Sequence, residues 1–159
     1  MENNYNNFGG SAIGPNLFNW IIENIPHGLT ILELGSGTGT HELGKIYKVH
    51  CVEHDKNWVN KFSNLTYHYA PIKEGWYDKE WLQNLPKDYD LLIFDGPPGS
   101  IGRTKVLENL HMFNLNVPII VDDTHRKVEK NMAEKLVNML NTSYLEIKEH
   151  NKSAYILNV

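Results

Sequence analysis

From Pro15 onward, short apolar runs alternate with longer amphipathic ones, and most of them stop at a glycine, a proline or an acid. Leu17, Phe18, Ile21, Ile22 and Ile25 recur at helical spacing between Pro15, which suits a first helical turn, and Pro26, which ends the run. The pattern then predicts a strand over residues 30–34, a short helix near 41–46, a strand over 49–53 and a helix opened by Asp55. A third strand is expected near 65–70 and a Trp-rich helical stretch around 79–85. A strand over 89–94, a helix over 106–113, a strand over 117–121 and a strongly periodic helix over 128–140 follow. The last two strands, 144–148 and 154–157, flank a short polar turn, as an antiparallel hairpin requires.

Alternating β and α units imply an α/β fold of the Rossmann-like, doubly wound kind, with a mostly parallel seven-stranded sheet and an antiparallel C-terminal hairpin. At 159 residues the chain is expected to form one domain, over 15–159. Residues 1–14, rich in Asn and Gly, read as a flexible arm able to close over a site. No internal repeat is evident.

The junction of the first strand with its helix carries the clearest chemistry. In ILELGSGTGT, residues 31–40, Gly35, Gly37 and Gly39 alternate directly after an apolar strand. Glycine lets the backbone turn sharply there and lets a ligand approach its N–H groups, while the next helix begins with free donors. Glu53, ending the second strand, stands 18 residues beyond Gly35, close to the roughly 20-residue offset at which an acid meets ribose hydroxyls. An adenosine-containing cofactor is expected. A nicotinamide site would use G-x-G-x-x-G; here the spacing is G-x-G-x-G, and the acid Glu33 lies inside the strand. A carboxylate suits a ligand bearing an ammonium and a sulfonium and repels a pyrophosphate.

Glu33, Gly35, Gly37 and Gly39 match, residue for residue, the E/D-x-G-x-G-x-G motif of the class I S-adenosylmethionine (SAM)-dependent methyltransferases, which this chain resembles. The resemblance implies SAM as cofactor and a closing hairpin that supplies the antiparallel seventh strand. The cofactor-binding residues expected from motif and strand ends are Glu33, Gly35, Ser36, Gly37, Thr38, Gly39, Glu53, His54, Ala70 and Asp95.

In a doubly wound sheet, ligands sit off the carboxyl ends of the strands, where Asp95 ends the fourth strand and Asp122 and Asp123 follow the fifth. The fourth strand continues as DGPPG, with a glycine inserted and no aromatic residue after the prolines, which departs from the D/N-P-P-Y/F of the amino-methylating enzymes. Together with VDDTH at 121–125, DGPPG instead resembles small O-methyltransferases of the catechol and macrolide-sugar kind. In metal-dependent members an acid after strand four and an acidic pair after strand five hold one divalent cation, and Asp95, Asp122 and Asp123 fall on those positions. Mg²⁺ or Mn²⁺ there would lower the pKa of an acceptor hydroxyl, with Asp95 and His125 as candidate catalytic residues. Three carboxylates on one rim repel one another, so a cation, a proton or the sulfonium must compensate them.

Plainer readings stand beside these. Asp123 or Thr124 is placed to cap the helix that follows, Arg103 to pair with a nearby acid, and Trp20, Trp58, Trp76 and Trp81 to pack the core and its helices.

A net charge of −4, with lysines and arginines scattered singly, gives no basic stripe, so nucleic acid is disfavoured as a partner. No apolar run approaches a membrane span, and no charged-then-apolar leader opens the chain, so a soluble cytoplasmic protein is expected. Cys51, the lone cysteine, reads as a small buried hydrophobe. The residues set no oligomeric state. The resulting expectation is a SAM-dependent methyltransferase, of the EC 2.1.1 class, acting on an oxygen of a small molecule or sugar. Its rivals are a catalytically silent SAM-binding protein, an aminopropyltransferase-like enzyme and a nicotinamide oxidoreductase.

Overall fold

The computed structural model describes residues 12–159. The arm expected over 1–14 therefore falls largely outside the described residues. Of its last three, Ile13 is buried in a core.

Nine strands form. β1 (Thr30–Leu34), β2 (Lys48–Glu53), β3 (Thr66–Tyr69), β6 (Leu91–Phe94), β7 (Ile119–Val121), β8 (Tyr144–Lys148) and β9 (Ser153–Leu157) build one seven-stranded sheet in the order β3-β2-β1-β6-β7-β9-β8. The first five in that order run parallel, and β9 pairs antiparallel with both β7 and β8. The expected mostly parallel sheet with a closing antiparallel hairpin is thus what the chain adopts.

Apolar residues fill the central strands because both sheet faces are covered. Leu32, Leu34, Leu92, Phe94, Ile119 and Val121 pack toward α3 (Lys127–Leu140), which contributes Met132, Ala133 and Leu136. Their neighbours Ile31, Leu91, Ile93 and Ile120 point the other way, onto Leu17, Phe18 and Ile21 of α1 (Pro15–Asn24). The period of two along each strand separates the two cores.

Three helical expectations fail for local reasons. After Asp55 the chain makes turns rather than a helix: Asn60 takes a left-handed φ of 61°, and the Asp55 side chain accepts the Asn57 N–H at 2.9 Å. The stretch around 79–85 is only a 3-10 turn, Lys79–Leu82. The segment 106–113 is two 3-10 turns, Thr104–Glu108 and Leu110–Met112, broken where the Asn109 amide donates back to the Lys105 carbonyl at 2.8 Å. A small hairpin of β4 (Ile72–Lys73) and β5 (Trp76–Tyr77) also forms, turned by Glu74 and Gly75 at φ 55° and 82°. No helix among the described residues is long and apolar enough to cross a membrane.

One hydroxyl ties α1 to the sheet. Tyr47, buried just before β2, places its OH 2.9 Å from the Ile25 carbonyl and 3.1 Å from that of Ile21. Tyr47→Phe leaves both carbonyls short of a donor and should cost about 1–2 kcal/mol, read as a lower urea midpoint with an unchanged slope.

Candidate functional site

Parallel strands deliver their carboxyl ends to one rim, and the turn after β1 is built for close approach. Gly35 has φ +97°, and a Cβ there would lie 2.7 Å from the Asp95 carbonyl oxygen. Its N–H donates to the Val52 carbonyl at 2.9 Å, which fixes the turn against β2. The chain then enters α2 (Thr38–Leu43), where the Gly37 N–H donates to Thr40 Oγ1 at 2.9 Å. The Thr40 hydroxyl serves Glu33 in turn. Glu33 is buried, with one carboxylate oxygen unpartnered. Burial, then repulsion from Asp122 and Glu53, pushes its pKa up to about 8 against the Thr40 bond.

A cleft of about 330 Å³ opens at this rim. Of the residues expected to bind cofactor, Gly35, Ser36, Glu53, His54 and Asp95 line it. Glu33, Gly37, Thr38, Gly39 and Ala70 do not form its wall. Gly39 is instead covered by the Ile13 side chain, 2.9 Å from where its Cβ would be. Ala70 is buried, donating its N–H to the Glu53 carbonyl at 3.0 Å. The Glu53 carboxylate takes the Ser36 hydroxyl on one oxygen and the Asp55 N–H, at 2.8 Å, on the other. His54 Nδ1 lies 3.3 Å away.

The rim's other half is acidic and densely paired. Donor oxygens of Asp95, Asp122 and Asp123 lie within 4.8 Å of one another. The Arg103 guanidinium stands among them, with Nη2 at 3.0 Å from Asp123 and 3.5 Å from Asp95, and Nε donating to the Pro97 carbonyl at 2.8 Å. Arg126 and Lys152 approach Asp123 at 3.5 and 3.8 Å. Compensation thus comes in the first place from side chains of the protein itself. Burial raises the Asp95 pKa well above the usual carboxylate range, Asp122 adds to this, and Arg103 opposes it. Asp122 is also raised, by burial and then by Asp123. Burial works against the charge on Arg103, but Asp95, Asp123 and Asp122 outweigh it and raise its pKa. Asp122 Oδ2 and Asp123 Oδ1 have no hydrogen-bond partner.

Several expectations change here. Neither Asp123 nor Thr124 caps α3: the N-cap residue is Arg126, and the Thr124 hydroxyl pairs with Ser153 at 2.8 Å. Arg103 forms the acid pairing foreseen for it, in a deeper setting, only 4% exposed. His125 is exposed and does not line the cleft, and Asp122 is buried behind the wall. Trp58, expected in packing, lines the cleft, whereas Trp81 is half exposed. Tyr77 and Arg126 line it as well, and neither carried a sequence signal. Tyr77 ends the two-residue strand β5 and Arg126 stands just before α3, positions too short or too isolated to leave a periodicity to read.

No family model matches the sequence, and a comparison with curated proteins gives no match. The fold, however, is shared with solved methyltransferases. A methyltransferase from Pyrococcus furiosus superposes with a TM-score of 0.61 at 16% identity, over 89% of this chain and 80% of that one. The tRNA methyltransferase TrmK of B. subtilis gives 0.58 at 13% identity, over 93% and 66%. MycE, a methyltransferase of the mycinamycin biosynthetic pathway in complex with Mg and S-adenosylhomocysteine (SAH), gives 0.54 at 15% identity, over 90% and 44%.

The buried acid of β1 imposes a pH dependence. A folded-state pKa raised from 4.5 to about 8 means that the native state binds the Glu33 proton more tightly than the unfolded chain. Stability contributed by that proton is present at low pH and is lost as pH rises through about 8. Glu33→Gln should flatten the fall in unfolding free energy between about pH 4.5 and pH 8, so that the variant gains on the wild type at the alkaline end. Urea melts across that range provide the comparison.

Proposed function

We propose that the protein is a SAM-dependent methyltransferase that methylates an oxygen of a small molecule or sugar. The observation that carries this reading is one cleft joining the strained Gly35–Ser36 turn to the buried Glu53 carboxylate, the adjacent strand's end. A ribose hydroxyl on Glu53 would take a bond of the kind that the Ser36 hydroxyl makes to it here, which supports the reading. The buried carboxyls of Glu33 and Asp95, whose pKa values burial raises although Arg103 stands 3.5 Å from Asp95, favour a ligand bearing a sulfonium and an ammonium. An acid-lined cleft on a chain without a basic stripe supports a small acceptor over a nucleic acid.

SAM held at Glu53 would supply a methyl group on a sulfonium, open to in-line attack by an acceptor oxygen, with the sulfur keeping the electron pair of the broken carbon–sulfur bond. The acceptor proton must go to a base. Asp95 lies in the cleft, and its environment makes it, once ionised, a stronger proton acceptor than an ordinary carboxylate. His125 faces solvent, so Asp95 is the better placed of the two candidates.

The three aspartates also fit a hard divalent cation in donor type and spacing, and two of their oxygens have no hydrogen-bond partner, although Lys152 stands 3.8 Å from Asp123. Asp95, Asp122 and Asp123 would hold Mg²⁺ or Mn²⁺, which supplies charge to acidify the acceptor hydroxyl. Arg103 competes for the same oxygens of Asp95 and Asp123.

Calorimetric titration with SAH tests the cofactor reading. Glu53→Ala should weaken binding about tenfold to a hundredfold, the cost of losing charge-assisted bonds to the ribose; unchanged affinity in a folded variant would place the ribose elsewhere. The cation reading is tested by titrating Mn²⁺ and following its paramagnetic resonance signal. Binding that is present in the wild type and lost in Asp122→Asn is the expected result, and no binding would leave Arg103, Arg126 and Lys152 as the compensating charges of the cluster.

A further inference from the structure

The β4–β5 hairpin places Tyr77 in the cleft. The residue is 1% exposed, and its hydroxyl has no hydrogen-bond partner. That hydroxyl lies over the second close backbone approach of the site: a Cβ on Gly96 would collide with it, and would also lie 2.8 Å from the Gly35 Cα. Glycine at 96 therefore lets the phenol oxygen and the turn after β1 approach the same stretch of backbone closely. The charges that act on the hydroxyl are Glu53 at the end of β2, Arg103 and Asp95 on the β6 side, and Glu33 in β1. Burial, reinforced by Glu53, holds the phenol neutral well beyond its ordinary range. A buried polar atom without a partner is rare in a native fold unless a ligand or water completes it.

The chemistry of SAM decides which part of it meets that oxygen. Its sulfur is the covalent link between the ribose and the amino-acid tail, so a cofactor with its ribose on Glu53 carries the sulfonium into the middle of the cleft. We propose that the Tyr77 hydroxyl faces this sulfonium and accepts a C–H···O contact from the S-methyl group, which makes Tyr77 a catalytic residue that aligns the methyl for transfer. The proposal rests on the reading of the cleft as a SAM site. A methyl on a positively charged sulfur has polarised C–H bonds, and a neutral phenol oxygen offers them lone pairs without attacking the carbon. SAH lacks both the methyl group and the charge, so the contact disappears on transfer.

The test needs no acceptor. Dissociation constants for SAM and for SAH are measured by calorimetry on the wild type and on Tyr77→Phe, which keeps the ring and removes only the oxygen. SAM should bind the variant about threefold to tenfold more weakly, while SAH affinity stays within about twofold. Retained SAH binding also shows that the variant is folded. Equal losses for both ligands, or a loss for neither, would put the hydroxyl against another part of the cofactor and overturn the proposal. A wild type that binds neither ligand is a separate outcome, and it removes the cofactor reading along with this one.

Discussion

The rim of this protein depends on the Arg103 guanidinium. Two of its three acids, Asp122 and Asp123, are almost fully buried, and Asp95 is largely so. Without a cation among them, the folded state would bear an unpaired buried charge at each strand end or take up protons to remove it. A guanidinium serves here where an ammonium would not, because its fork reaches Asp95, Asp123 and the Pro97 carbonyl at once. The ends of β6 and β7 are thereby tied into one piece, with the cleft on one side of it and the sheet core on the other.

That arrangement also links electrostatics to mechanism. Burial raises the pKa values of Glu33, Asp95 and Asp122 together, so a cationic ligand bound beside them would favour their ionised forms. Specific hydrogen bonds then decide where each group points: Thr40 orients Glu33, and Ser36 with the Asp55 N–H orients Glu53. The cleft is prepared by these side chains before any ligand arrives.

Legibility in the sequence followed the range of the interactions responsible. The apolar periods of β1, β2, β6 and β7 and of α1 and α3 are local and repeated, and they specified the sheet and its two covers. The glycine loop, Glu53 and the three aspartates were readable because strand ends in such a sheet must converge. Asn60 and Asn109, by contrast, each broke an expected helix through a single dihedral or side-chain bond that leaves no period. Trp58 reaches the cleft from a turn, Tyr77 from the two-residue strand β5 and Arg126 from the residue before α3, and the exposure of His125 follows from a loop path that hydrophobic pattern does not encode. The glycines too divided: Gly35 meets the cleft, whereas Gly39 makes room for Ile13.

Lys152 lies between two parts of the chain that are far apart in sequence. Its ammonium donates to the Ala12 carbonyl and sits 3.8 Å from Asp123. The strip that leads into α1 and the acid cluster therefore share one cation. Whatever draws Lys152 toward the acids loosens its grip on that strip, and whatever neutralises the acids leaves the ammonium to the strip alone. By reciprocity, a ligand that alters the charge of the cleft changes how firmly the strip is held, and the strip in turn biases that ligand's affinity. The path between them is a single side chain on the β8–β9 turn.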